Sequence, residues 1–205
     1  MMIKELGGRV ASVWDGLRPV TQKLLTKALQ SGLSPTNIPK SHAVPYDAHA
    51  DWELSRLLDA LEEQSRTKET RSDVRKLNEI NQLADTCATL LEMQTASAEV
   101  FIQLAERALG KNDFKKLDQL AERLTQRFSA AEIAEVVRQT GSPQIRALAT
   151  ECLVHLPPQS IAQLLDDSLY SLIAASALEQ QAYEFESDEA REILEQYDSG
   201  FIQEG

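Results

Sequence analysis

Glycine and proline are scarce in this chain and unevenly placed. Of 205 residues, eight are glycine and seven are proline. No glycine lies between Leu33 and Leu109, and no proline between Tyr46 and Ser142. Long stretches without either residue, rich in Ala, Leu, Glu and Gln, favour helix and leave few places for the tight turns of strand proteins. No segment alternates apolar and polar residues as a half-buried strand does. No run of 18 apolar residues occurs, which argues against a membrane-spanning helix, and Met1-Met-Ile-Lys-Glu-Leu-Gly-Gly8 lacks the apolar centre of a signal peptide. Cysteine is limited to Cys87 and Cys152, each on an apolar helical stripe. Their placement suits small core residues in a reducing compartment rather than a disulfide framework, so the cytoplasm is the expected location. No glycine-rich phosphate loop, nucleophile elbow or Cys-x-x-Cys pair is present. No cofactor is expected, and the chain does not read as an enzyme.

Positive charge is also in short supply. Twenty-one Lys and Arg stand against 32 Asp and Glu, for a net charge of −11. The distribution is lopsided: Met1 to Lys40 carries +4, Glu179 to Gly205 carries −8, and the segment between carries −7. Phosphate-backbone binding needs clustered Lys and Arg, so nucleic acid is not an expected partner. Hydrophobic residues make up 42% and charged residues 26%, the balance of an ordinary globular chain. A chain of this length buries roughly two-thirds of its unfolded surface.

Helical stripes follow one another along the chain. Val10, Val13, Trp14 and Leu17 form a short one that stops near Arg18-Pro19, and Thr21 is expected to cap a second carrying Leu24, Leu25, Ala28 and Leu29. These define an N-terminal helical arm over 1–31. Residues 32–50, with Pro35, Pro39 and Pro45, read as a linker to a helical body over 51–182. Asp51 is expected to open a helix carrying Trp52, Leu54, Leu57, Leu58 and Leu61. Thr70 to Asp73 caps a longer one, whose Leu77, Ile80, Ala84, Cys87 and Leu91 step by three and four like a helix packed along a neighbour. Val100, Phe101, Leu104, Ala105, Ala108 and Leu109 mark the next, stopped by Gly110. Asn112-Asp113 then caps Phe114, Leu117, Leu120, Ala121, Leu124 and Phe128. Connections this short force antiparallel neighbours.

The clearest organisation runs from Ser129 to Gln181. Ser129-Ala-Ala-Glu132 is a capping box ahead of Ile133, Val136, Val137 and Thr140. Gly141 follows as a stop, and Ser142-Pro143 supplies an N-cap and a first-turn proline. Ile145, Leu148, Ala149, Cys152, Leu153 and Leu156 form the next stripe, which Pro157-Pro158 closes. The pattern then restarts: Ile161-Ala-Gln-Leu164-Leu165 repeats Ile133-Ala-Glu-Val136-Val137 at an offset of 28, with Leu169, Leu172, Ile173, Ser176 and Ala177 expected inward. Leu164-Leu165-Asp166-Asp167-Ser168 with Ile173-Ala-Ala-Ser-Ala177-Leu178, and Ser142-Pro143-Gln144-Ile145-Arg146-Ala147-Leu148-Ala149, resemble HEAT-type repeats. The resemblance covers about 50 residues and departs from a strict repeat at Gln139, where the second unit has Asp167. It implies an all-α fold, a right-handed stack of antiparallel helical hairpins, that works by presenting a surface to a partner. Residues 183–205 then read as an acidic C-terminal cap helix and tail, with Ala190, Ile193, Leu194 and Tyr197 inward.

Few residues invite a chemical role. His42, Asp47, His49 and Asp51 are of metal-binding type, but their spacing fits no familiar site and a solvated linker is the better reading. His155 suits a helix end, where the dipole favours it. Asp166 and Asp167 are adjacent on a helix end and point about 100° apart, so they do not converge on one substrate atom. No catalytic, cofactor-binding or metal residue is therefore assigned. Arg138, Arg146, Glu151 and Tyr170, outward on the repeat helices, are the expected partner-binding residues, because Arg and Tyr combine area with polar reach. The expectation is a non-catalytic scaffold binding a protein or peptide, without nucleic acid or membrane, and compatible with a homo-oligomer. Two other readings stay open: an enzyme or nucleic-acid-processing protein on a HEAT-like scaffold, as some base-excision glycosylases are, and self-regulation by the acidic tail or basic arm.

Overall fold

Most helices begin where a short polar side chain stands ahead of an apolar run. The computed structural model describes residues 3–30 and 47–203, and every regular element among them is helical. Asp47, Thr67, Asp73, Ser97, Asp113, Ser129 and Ser142 each accept a backbone N–H of the helix that follows, the N-cap bond that satisfies an otherwise orphaned donor. The chain divides into two compact units, Met1–Thr95 and Ala96–Gly205.

The first unit holds α1 (Gly8–Gly16), α2 (Pro19–Gln30), α3 (Ala48–Arg66), the one-turn α4 (Lys68–Ser72) and α5 (Val74–Gln94). Residues Leu54, Leu57, Leu58 and Leu61 of α3 and Ile80, Leu83, Cys87 and Leu91 of α5 are fully buried and form its centre. The three-and-four spacing in α5 is that of a helix lying along α3, its main neighbour. Helices α1 and α2, expected as an arm apart from the body, pack on α3 and α5 within this unit. Much of the 32–50 linker lies outside the described residues, while Asp47 to Ala50 already begin α3. Thr21 is not a cap: α2 starts two residues earlier, at Pro19, and Thr21 is buried. Asp51 is likewise a buried residue within α3, accepting from the Gln94 amide at 3.0 Å. Trp52 is 56% exposed with the Arg56 guanidinium 4.6 Å from its ring.

The second unit holds α6 (Ala98–Gly110), α7 (Phe114–Arg127), α8 (Ala130–Gln139), α9 (Pro143–Val154), the short α10 (Pro158–Ala162), α11 (Ser171–Glu184) and α12 (Asp188–Gln203). Helices pair in sequence, α6 with α7, α8 with α9 and α10 with α11. They also contact the next but one, in the series α6, α8, α10, α12 and the series α7, α9, α11. Ile133 and Ile161, 28 residues apart, are both completely buried, and their followers Val136 and Leu164 are buried too. Phe101 and Phe128 meet edge to face, 5.8 Å between centroids at 71°.

The capping box at Ser129 forms as expected. Other details differ. The left-handed residue ending α6 is Asn112 (φ 54°), not Gly110, and the Asp113 N–H closes back on the Ala108 carbonyl at 2.9 Å, a Schellman turn that asparagine tolerates. Leu148 is only half-buried, and Phe114 is 64% exposed. Pro158 opens α10 instead of merely ending α9. The largest departure is α11. Leu169 and Leu172 are 59% and 85% exposed, and its inward side is Ala174, Ala177, Leu178, Gln181 and Ala182. Apolar residues surround this helix, so its periodicity does not select a face. The small alanines allow close helix approach, and packing turns them inward.

Candidate functional site

The second unit carries a groove of about 590 Å³ between α9 and the end of α11. Its wall on α9 is Pro143, Arg146, Ala147, Thr150, Glu151, Val154 and His155, and its other wall is Gln180 and Phe185. Helical spacing of three and four lines Pro143, Arg146, Ala147, Thr150, Glu151 and Val154 along one side of α9. The Gln181 amide fixes the two walls: buried beneath them, it donates to the carbonyls of Val154 and Leu156, both at 2.7 Å. Those carbonyls are at the C-terminal end of α9 and would otherwise lack intrahelical partners. His155, the C-cap of α9, faces Phe185 with 5.7 Å between ring centroids. Phe185 is 54% exposed, leaving an aromatic surface at the mouth of the groove. The chain reverses just beyond it, where Glu186 takes a left-handed conformation (φ 54°).

The four expected partner-binding residues fall into two places. Arg146 and Glu151 share the groove. Arg146 turns its guanidinium back along α8, donating to Thr140 O at 2.7 Å and Val137 O at 3.3 Å, so it closes the end of that helix while remaining exposed. Arg138 and Tyr170 meet outside the groove, at Glu135. The Arg138 guanidinium grips the carboxylate with two bonds of 2.6 Å, and the Tyr170 hydroxyl donates at 3.0 Å. The Arg138 fork, opposed by partial burial and joined by Gln139 and Tyr170, lowers the Glu135 carboxyl to about 2. Burial, together with the Glu135 carboxylate it bonds, pushes the Tyr170 phenol above its ordinary value. This cluster ties α8 to the residue preceding α11, and Glu135 is permanently charged near neutral pH. Arg138, Gln139 and Tyr170 all donate to that carboxylate.

A comparable cluster in the first unit escaped the sequence reading. Glu53, 5% exposed, accepts from the Arg18 backbone N–H at 2.9 Å, from Arg18 Nε at 3.1 Å and from the Thr21 hydroxyl. Arg18 also donates to Asp47 at 2.8 Å, the residue that caps α3. Burial alone would raise the Glu53 carboxyl, but the bonds from Thr21 and Arg18 outweigh it and leave it below its ordinary value. The signal available was a glutamate falling within the inward face of α3, one residue before Leu54. Asp47 and Asp51, weighed earlier as parts of a solvated linker, are a helix cap and a buried acceptor, and His42 lies outside the described residues. Among the described residues no three His, Cys, Asp or Glu side chains come together to hold a metal ion. Among those residues, too, no helix is long and apolar enough to cross a membrane. Comparison of the chain with protein-family models, curated proteins and solved structures finds no match.

Proposed function

We propose that the chain is a non-catalytic interaction module of HEAT-like helical-repeat type, which offers the α9–α11 groove to a protein or peptide partner. The observation that carries this reading is the mouth of the groove. A half-exposed Phe185 stands beside His155, with Arg146 and Glu151 opposite, so one large apolar anchor is framed by polar groups of both signs. Such a mixture is typical of protein-binding surfaces, where an aromatic anchor supplies energy and the rim supplies orientation. The hairpin pairing and the two i, i+2 series of α6 to α12 support a solenoid-like stack, the architecture that builds extended binding surfaces from adjacent helices. Two buried free thiols, Cys87 and Cys152, suit a reducing compartment such as the cytoplasm.

The test is affinity capture from native lysate followed by direct titration of the protein that is captured. Phe185→Ser should weaken that titration by about tenfold or more, the loss of a good aromatic anchor. Phe114→Ser, at a residue no less exposed but on α7 away from the groove, should leave it unchanged. Equal binding by the two variants, or turnover of a captured small molecule, would overturn the reading.

A further inference from the structure

Helix α11 has a second outward face that the groove does not use. Leu172, Ser176, Glu179 and Tyr183 recur at i, i+4, i+7 and i+11, opposite the buried Ala174, Ala177, Leu178 and Gln181. Leu172 is 85% exposed, Tyr183 79%, and Leu169, just before the helix, 59%. In the series α7, α9, α11 each helix packs on the next of the series, and among the described residues α11 is its last member. Helix α12 contacts α11 and α10 but leaves this ridge in water.

Apart from Arg138, which is bound to Glu135 beside Tyr170, the charge in this part of the chain is acidic. Between Leu156 and Gly205 there are eleven acidic residues and one basic, Arg191. Arg191 is bound to Asp188 at 2.7 Å and to the Ala182 carbonyl at 3.1 Å. Asp166, Asp167, Glu179 and Glu184 are all exposed along or beside α11. From this we infer that the outer face of α11 docks a cationic amphipathic helix of a partner protein, with leucine-type residues on one side and Lys or Arg flanking them. A helical ridge offers i±3 and i±4 grooves to another helix, and its backbone bonds are already satisfied, so an extended strand has nothing to pair with. An acidic rim repels an anionic membrane. A two-fold pairing with a second copy would set the same acidic rim against itself. The inference rests on reading this unit as an interaction module, but on a surface separate from the groove.

The probe is a dye-labelled helical peptide of about 18 residues, five turns, with leucines at i, i+4, i+7 and i+11 and lysines on both flanks. Its binding to the full chain is followed by fluorescence anisotropy. A second peptide has every lysine replaced by glutamate. The lysine peptide should bind saturably, more weakly as salt rises, and the glutamate peptide should not bind. The double variant Leu172→Gln/Tyr183→Gln removes the apolar ridge without changing charge, and should weaken the lysine peptide by about tenfold. Both side chains are largely exposed, so circular dichroism should show an unchanged fold. Binding that survives the double variant is charge attraction alone and overturns the inference, as does equal binding of both peptides or none. A wild-type chain that is dimeric in sedimentation, and becomes monomeric in the double variant, assigns the face to a second copy instead. Loss of this binding with Phe185-dependent capture intact would sink the inference while sparing the groove.

Discussion

Replacing Glu53 should destabilise the first unit far more than a surface ion pair would. Glu53→Ala removes three accepted bonds and leaves two donors without their partner: the Arg18 amide and the Thr21 hydroxyl, the latter in a residue 1% exposed. Each buried donor left unmade costs about 1–3 kcal/mol. The Arg18 guanidinium keeps Asp47 at 2.8 Å and is 38% exposed, so its charge is not stranded. The full penalty of about 3–5 kcal/mol for breaking a buried pair therefore does not apply. The expected loss is about 2–3 kcal/mol. Glu53→Gln retains the shape but exchanges a charged acceptor for a neutral amide, with an expected loss of about 1–2 kcal/mol. Thr21→Val keeps the volume and removes one bond, for about 1 kcal/mol. The assay is urea unfolding followed by tryptophan fluorescence, since both tryptophans, Trp14 and Trp52, belong to this unit. Because the folded Glu53 carboxyl sits below its ordinary value, its contribution is present above the unfolded value and is lost as pH falls through the folded one. The gap between wild type and Glu53→Gln should close on acidification. A Glu53→Ala loss under about 0.5 kcal/mol, the level of an exposed pair, would refute the reasoning.

The Glu135 cluster should make the second unit acid-sensitive in a defined window. Its carboxyl falls from 4.5 to about 2 on folding, so its stabilisation is complete above 4.5 and disappears between 4.5 and 2. Arg138 is 42% exposed, and solvent screening limits the effect to about 1 kcal/mol. Glu135→Gln should lose that amount at neutral pH and nothing below 2, read by far-ultraviolet circular dichroism during urea unfolding. On α9, Leu153→Ala should cost about 3 kcal/mol and Leu148→Ala about 1 kcal/mol in the same measurement. Leu153 is completely buried, whereas Leu148 is only half-buried. Equal losses would contradict the packing of that helix.

Local chemistry made the helices legible. Asp73, Asp113, Ser129 and Ser142 are short acceptors standing ahead of apolar stripes, and a cap bond spans only two or three residues, so its geometry is written in adjacent positions. The inward faces of α5 and α8 were legible for a similar reason: each helix is strongly one-sided, and Ile80, Cys87, Ile133 and Val136 could be buried in only one rotation. The groove was half legible. Arg146 and Glu151 were outward on α9, but Phe185 and Gln180 reach them only because α11 packs back on α9. Nothing local in the sequence shows that Tyr170 joins Arg138 at Glu135. Nor could the sequence alone decide α11, where apolar residues lie on every side. Whether Leu172 or Ala174 turned inward depended on how closely its neighbours could approach. Likewise Glu53 reads as one charged residue in an apolar helix until Arg18 and Thr21, distant along the chain, arrive to complete it. Caps and one-sided stripes depend on residues a turn apart, so the sequence determined them. Buried polar clusters and the rotation of an evenly apolar helix depend on partners that only tertiary packing brings within hydrogen-bond or van der Waals range.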